Sequence, residues 1–158
     1  MTASRDSAGV RLPPPVITLG CVLVGVALDR VLSFPFFPEH LRGIERAVGW
    51  VVLLLAIALG AWATGLFVRA GTTPNPLRPT TALVIRGPYH FTRNPMYLGF
   101  AFMMGGIALI TNNVWILLMT VPDVIATQVM QIDREERYLS EKFGAEYDAY
   151  RARVRRWI

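Results

Sequence analysis

Residues 47–67 read AVGWVVLLLAIALGAWATGLF, twenty-one positions without a charge, bracketed by Arg46 and Arg69. A helix of that length rises about 30 Å, the thickness of a bilayer's hydrocarbon core. The stretch therefore predicts a transmembrane helix, and the rest of the chain is read outward from it. Upstream, residues 16–32 form a second apolar run, broken only near its end by Asp29 and Arg30 and preceded by Pro13, Pro14 and Pro15, where a helix can begin. A cleaved signal peptide is the rival reading of that run. Its preceding stretch is only weakly basic (Arg5, Arg11, Asp6) and further spans follow, so a retained span is expected. Downstream, residues 96–110 and 114–129 are apolar and joined at Thr111, Asn112 and Asn113, a turn that suits a helical hairpin.

Composition agrees with this reading. Of 158 residues, 53% are hydrophobic and only 17% charged, so too few charges remain to coat a soluble domain. The expected fold class is all-α, a polytopic bundle of about four transmembrane helices with a cytoplasmic C-terminal amphipathic helix. Four spans consume most of the length, so residues 1–158 are expected to form a single domain. The lone Cys21 excludes an internal disulfide, and His40 and His90 stand in separate loops without a Cys/His cluster, so no metal site is expected. The net charge of +5 is divided among membrane flanks and makes no single basic face, which argues against nucleic acid.

The distribution of that charge orients the chain. With four spans, the N-terminus, residues 68–93 and the tail share one side and carry thirteen basic residues; the other side, with Arg30, Arg42 and Arg46, carries three. The positive-inside rule then predicts both termini in the cytoplasm of a cell whose inner membrane holds the protein, the expected location being a bacterial inner membrane.

Between the second and third spans, residues 71–88 read GTTPNPLRPTTALVIRGP, with prolines at 74, 76, 79 and 88. Each fixes its backbone angle and removes a donor, so no helix is expected. Irregular backbone beside a membrane must be buried in protein or line a cavity, which makes this segment either a cavity wall or a rigid surface connector. It leads into RGPYHFTRNPMYLG at 86–99. Asn94 followed by Pro95 is a helix start, Asn as N-cap and Pro at the first helical position. The free N–H groups of that helix, together with Arg93, can hold an anion such as a carboxylate. Gly99 leaves room for a flat ligand or a neighbouring helix. Gly105 and Gly106 point to close helix packing.

The tail from 133 reads DREERYLSEKFGAEYDAYRARVRRWI. On a helical period Ile132, Glu136, Leu139, Phe143, Tyr147, Tyr150 and Val154 form one stripe, unless Gly144 breaks it into halves. Glu136 is the one carboxylate on that face and must meet a cation, either an arginine or the ammonium or sulfonium of a ligand. Glu135 points elsewhere. Arg151, Arg153, Arg155, Arg156 and Trp157 suit a lipid-surface anchor. Asp123, within the fourth span, needs a partner, for which Thr64 or Arg30 are candidates.

The run Gly87-Pro88-Tyr89 through Arg93-Asn94-Pro95-Met96-Tyr97-Leu98-Gly99, followed by Glu135-Glu136, Phe143-Gly144, Tyr147 and Tyr150, resembles the isoprenylcysteine carboxyl methyltransferase and phospholipid methyltransferase superfamily. The resemblance covers about half the chain. It implies a membrane methyltransferase that takes S-adenosyl-L-methionine at the cytoplasmic face. It also implies a cofactor site of Tyr89, His90, Arg93, Asn94, Pro95, Tyr97, Gly99, Glu135 and Glu136; no catalytic residue is assigned. Asn94 replaces the histidine of many relatives. Gln131 stands where carboxyl-methylating relatives are expected to have arginine, which leaves a prenylcysteine-like carboxylate, a phospholipid amine and a thiol all open as acceptors. The expected partners are a lipophilic or small-molecule acceptor and membrane lipids. Two other readings stay open: a nicotinamide-dependent reductase of the related sterol-reductase type, and a non-enzymatic accessory subunit.

Overall fold

The computed structural model describes Ser7, Gly9 and residues 12–158. Arg5, Asp6 and Arg11, on which part of the charge reading rests, lie outside the described residues. All regular structure among the described residues is helical. Helix α1 is Pro14–Val31, α2 Arg42–Arg69, α3 Pro95–Thr111 and α4 Val114–Thr127. The helical path then passes through a π turn, Gln128–Ile132, into α5, Asp133–Phe143, and α6, Ala145–Arg153, follows. Short 3-10 turns occupy Glu39–Leu41 and Gly87–His90.

Three helical stretches are long and apolar enough to cross a membrane, Pro14–Val31, Glu39–Arg69 and Val114–Phe143, and Pro95–Thr111 is a shorter apolar helix. These fit an integral membrane protein. Along α2, Trp50, Val51, Leu54, Leu55 and Trp62 are all at least half exposed. So large an apolar surface needs lipid or a partner. Proline sets the start of α1, where Pro14 and Pro15 occupy a first turn whose N–H groups have no helical acceptor.

The helices pack as two close pairs, α2 with α3 and α1 with α4, and the α3–α4 hairpin joins them. Glycine permits the approach. A Cβ at Gly49 would lie 2.8 Å from the Ile110 nitrogen, and one at Gly106 2.9 Å from the Leu53 nitrogen. Gly25 meets Ile116 on α4 in the same way. Without the hydrophobic effect between helices in lipid, backbone contact of this kind supplies the attraction. Gly105, by contrast, faces open space and is not part of the packing.

The hairpin turn is clasped by asparagine. Asn112 adopts a left-handed conformation, φ 52°. Its side chain accepts from the Phe36 and Phe37 N–H groups at 2.8 and 3.1 Å, tying the turn to the α1–α2 connection. Asn113 caps α4 by accepting from the Ile116 N–H at 3.1 Å.

The fourth apolar run leads without a break into the tail helix: α4, the π turn and α5 form one continuous helical path to Phe143, because no proline or glycine interrupts residues 123–143. Two expectations change. Asp123 pairs with neither Thr64 nor Arg30; Thr18 Oγ1 on α1 donates to it at 3.0 Å, since α4 packs against α1. Finally, the C-terminal residues do not all serve as a lipid anchor. From Val154 the backbone is extended and folds back on the protein, where Trp157 Nε1 donates to Gln128 at 3.1 Å and Arg156 pairs with acids of α5. Gly144, at φ 53°, does break the tail, and the stripe is completed by two helices. Leu139 and Phe143 from α5 and Tyr147, Tyr150 and Val154 around α6 converge on Ala63, Val84 and Tyr89.

Candidate functional site

A cavity of about 90 Å³ opens at the end of the bundle where α3 begins and α5 emerges. A hydrocarbon core of roughly 30 Å takes about twenty residues of the 30-residue helix that starts at Val114, so α5 projects beyond it. Residues 73–84 of the proline-rich segment form one wall. Of the two readings open for that segment, a cavity wall is the one observed. Tyr138 of α5 anchors it by accepting from the Thr80 N–H at 3.2 Å.

The opposite wall is built around Arg93. Its Nη2 lies 3.2 Å from Glu136 Oε1, with both side chains only 10% exposed. Glu136 is also held by Arg156, whose Nε and Nη2 donate at 3.1 and 2.7 Å. The buried carboxylate therefore meets two arginines. Arg156 also reaches Asp133, and its charged form is favoured first by the hydrogen bond to Glu136. The backbone closes the arrangement: the Arg155 carbonyl accepts from the Arg93 N–H, and the Arg156 carbonyl from Thr92 Oγ1 and Asn94 Nδ2, all at 3.0 Å. Asn94 thus precedes α3 as expected, but its side chain does not cap the helix; its Nδ2 donates to the Arg156 carbonyl instead.

Two kinds of group on residues lining the cavity have capacity unspent, buried donors and a carboxylate. Nε and Nη1 of Arg93 and the hydroxyl of Tyr89 are buried without a hydrogen-bond partner. Tyr89 is fixed by an edge contact with Phe67, ring centres 5.6 Å apart, and by its carbonyl, which accepts from the Tyr150 hydroxyl at 2.8 Å. Burial, reinforced by Tyr150 and Glu135, pushes its phenol well above the ordinary range, so it can only donate or accept as a neutral group. The second group is Glu135. It has no ion-pair partner among the described residues, and its Oε1 accepts from the Tyr97 hydroxyl at 2.5 Å. Burial pushes its carboxyl up to about 7; the Tyr97 hydrogen bond opposes the shift and the Glu136 charge adds to it.

Beside this cavity runs a larger groove of about 550 Å³, between α2, α3 and the start of α1. Its lining, among the described residues, carries no charged side chain. The two spaces share Pro74, Asn75, Pro76, Met96 and Tyr97 as a common wall.

Of the residues singled out from sequence, Tyr89, Arg93, Asn94, Pro95, Tyr97, Glu135 and Glu136 line the cavity together. Gly99 lines the groove instead, 3.3 Å at its Cβ position from the Ala56 carbonyl, and His90 is exposed outside both. Sequence reasoning missed Tyr138 and the pairing of Arg156 with Glu136. The cost of burying Glu136 announced a cation, but nothing in the spacing said which arginine.

A model of the phospholipid methyltransferase family matches residues 44–146. The chain belongs to this family. The matched residues run from the first turn of α2 to the first turn of α6, so most of the cavity wall lies within the family region. An uncharacterized protein of Haemophilus influenzae is 36% identical over 63 residues, which are 40% of this chain and the whole of that protein. Membership in the phospholipid methyltransferase family points to a membrane methyltransferase.

Proposed function

We propose that the chain transfers a methyl group from S-adenosyl-L-methionine to a lipophilic acceptor at the cytoplasmic face of the membrane. The observation that carries this reading is the set of unspent polar groups around one small cavity. Arg93 and Tyr89 offer buried donors to a carboxylate, and Glu135 offers an uncompensated negative charge to a cation. S-adenosyl-L-methionine carries a carboxylate, an ammonium and a sulfonium, so the residues present fit it; when bound it would supply an electrophilic methyl group. Arg93 would orient it through Nε and Nη1. Glu136, already neutralised by two arginines, holds Arg93 in place and makes no direct contact in this reading. The apolar groove would receive an acceptor laterally from the bilayer, with Met96 and Tyr97 at the meeting point. Such an arrangement contributes mainly positioning and exclusion of water.

At about 90 Å³ the cavity is narrower than ordinary ligand pockets of roughly 300 Å³ or more, so this reading requires it to widen on binding. Calorimetry of the detergent-solubilised protein tests the proposal. Binding of S-adenosylhomocysteine without binding of NADPH is the expected result; preference for NADPH would select a reductase, and binding of neither an accessory subunit.

A further inference from the structure

We propose that Tyr97 and Glu135 form a proton relay that accepts the proton of the acceptor's nucleophile, which makes that nucleophile a proton-bearing group such as a thiol and not a carboxylate. The inference rests on the methyl-transfer reading and assigns the catalytic residues within it. Five residues separate the cavity from the groove, and of these Tyr97 alone carries a hydroxyl. Tyr97 thus lines both spaces, and its hydroxyl donates at 2.5 Å to Glu135, which lines the cavity only. In this proposal a nucleophile that meets Tyr97 from the groove passes its proton to the carboxylate through that one oxygen.

The charges around the pair support this. Arg93 and Arg156 both pair with Glu136, and Glu135 has no ion pair among the described residues, so Glu135 keeps its capacity to take up a proton. The other titratable or charged groups lining its cavity are Tyr89, Arg78, Tyr138, Tyr147 and Tyr150. Burial places the Glu135 carboxyl near neutrality, where a group can both accept a proton and release it. Among the described residues the lining of the groove carries no cation to hold a carboxylate acceptor.

The nucleophile's proton passes to the Tyr97 oxygen while the phenol's own proton passes to Glu135. The new bond to the methyl carbon forms as the donor's C–S bond breaks, its electron pair staying on sulfur. A carboxylate facing a cationic donor becomes a carboxylic acid facing a neutral product. The buried site thus carries the same net charge before and after, and avoids the cost of an unpaired buried charge.

The test reads protons as well as turnover. Calorimetric titrations near pH 7, in buffers of different ionisation enthalpy, count the protons exchanged on binding S-adenosylmethionine, whose sulfur is cationic, and S-adenosylhomocysteine, whose sulfur is neutral. The first is expected to expel a fraction of a proton that the second does not, and Glu135→Gln is expected to abolish the difference. Tyr97→Phe removes a hydrogen bond that favours the carboxylate, so it should move the pH of maximal release upward by about one unit. With dodecanethiol and dodecanoate as probe acceptors, methylation of the thiol at least a hundredfold faster is expected, and Tyr97→Phe should slow it by about 10²-fold or more. Equal proton counts for the two ligands, or methyl ester formed as fast as methyl sulfide, would overturn the relay while leaving cofactor binding intact. Failure to bind either ligand would overturn the methyl-transfer reading itself.

Discussion

Arg93 is asked to do two things at once, since one nitrogen holds Glu136 and two others are left over. Lysine could satisfy the first demand and not the second, because it lacks the planar fork. Arg93→Lys is therefore expected to weaken S-adenosylhomocysteine binding about tenfold or more, roughly 1.5–3 kcal/mol for a charged hydrogen bond. Arg86→Lys, at an exposed position, is the control and should stay near the parent affinity. Glu135 allows a test independent of any ligand. Its folded carboxyl is raised from 4.5 to about 7, so the folded state prefers the protonated form. The resulting stability is fully present below about pH 4.5 and is lost as pH rises through 7. Glu135→Gln keeps the neutral state at every pH, and thermal melts should find it more stable than the parent at pH 8 by on the order of 2–3 kcal/mol, with little difference at pH 4. At this scale the sequence was informative about need and silent about partner. A carboxylate on an apolar stripe demanded a cation, but Arg156 reaches Glu136 only because Gly144 turns the chain and an extended segment brings it back.

The helices themselves were readable because an uncharged run can hide its backbone in lipid only as a helix. Their boundaries were less so. The fourth apolar run appeared to stop where charges begin, yet helical hydrogen bonding continues past the change in polarity, and α4 enters α5 through the π turn. Pairing was not legible at all: Gly105 and Gly106 are equal in sequence, and only the packing reveals that Gly106 meets the Leu53 backbone while its neighbour meets nothing. This asymmetry makes a paired test. Gly106→Val should separate α2 from α3 and destabilise the protein by about 2 kcal/mol or more, the usual cost of overpacking. Gly105→Val should leave the melting temperature in detergent nearly unchanged. Equal losses for the two would mean that α2 and α3 do not meet as described.

For the molecule as a whole, the cavity, the proline-rich segment and both tail helices gather at one end, while Asn112 and the α1–α2 connection close the other. From the thirteen-to-three division of basic residues we propose that the cavity end faces the cytoplasm. In a Cys21→Ser background, single cysteines at Thr80 and Glu39 should react with impermeant reagents from opposite sides of the membrane, the first only after the cytoplasmic face is opened; reaction from the same side would sink this orientation. Composition and four apolar runs made the architecture legible, and the motif contains several of the residues that line the cavity. The groove was not, because its wall is assembled from α1, α2, α3 and the loop, none of which marks it alone. The unbroken path from α4 into α5 carries one more implication. Arg93 is placed by the start of a 17-residue helix, whereas Glu135 and Glu136 ride on a 30-residue one. Lipids with longer or shorter acyl chains tilt long and short helices by different amounts. The vertical registration of the acids against the arginine is thereby expected to follow bilayer thickness, with the membrane itself as a setting on the alignment of the site.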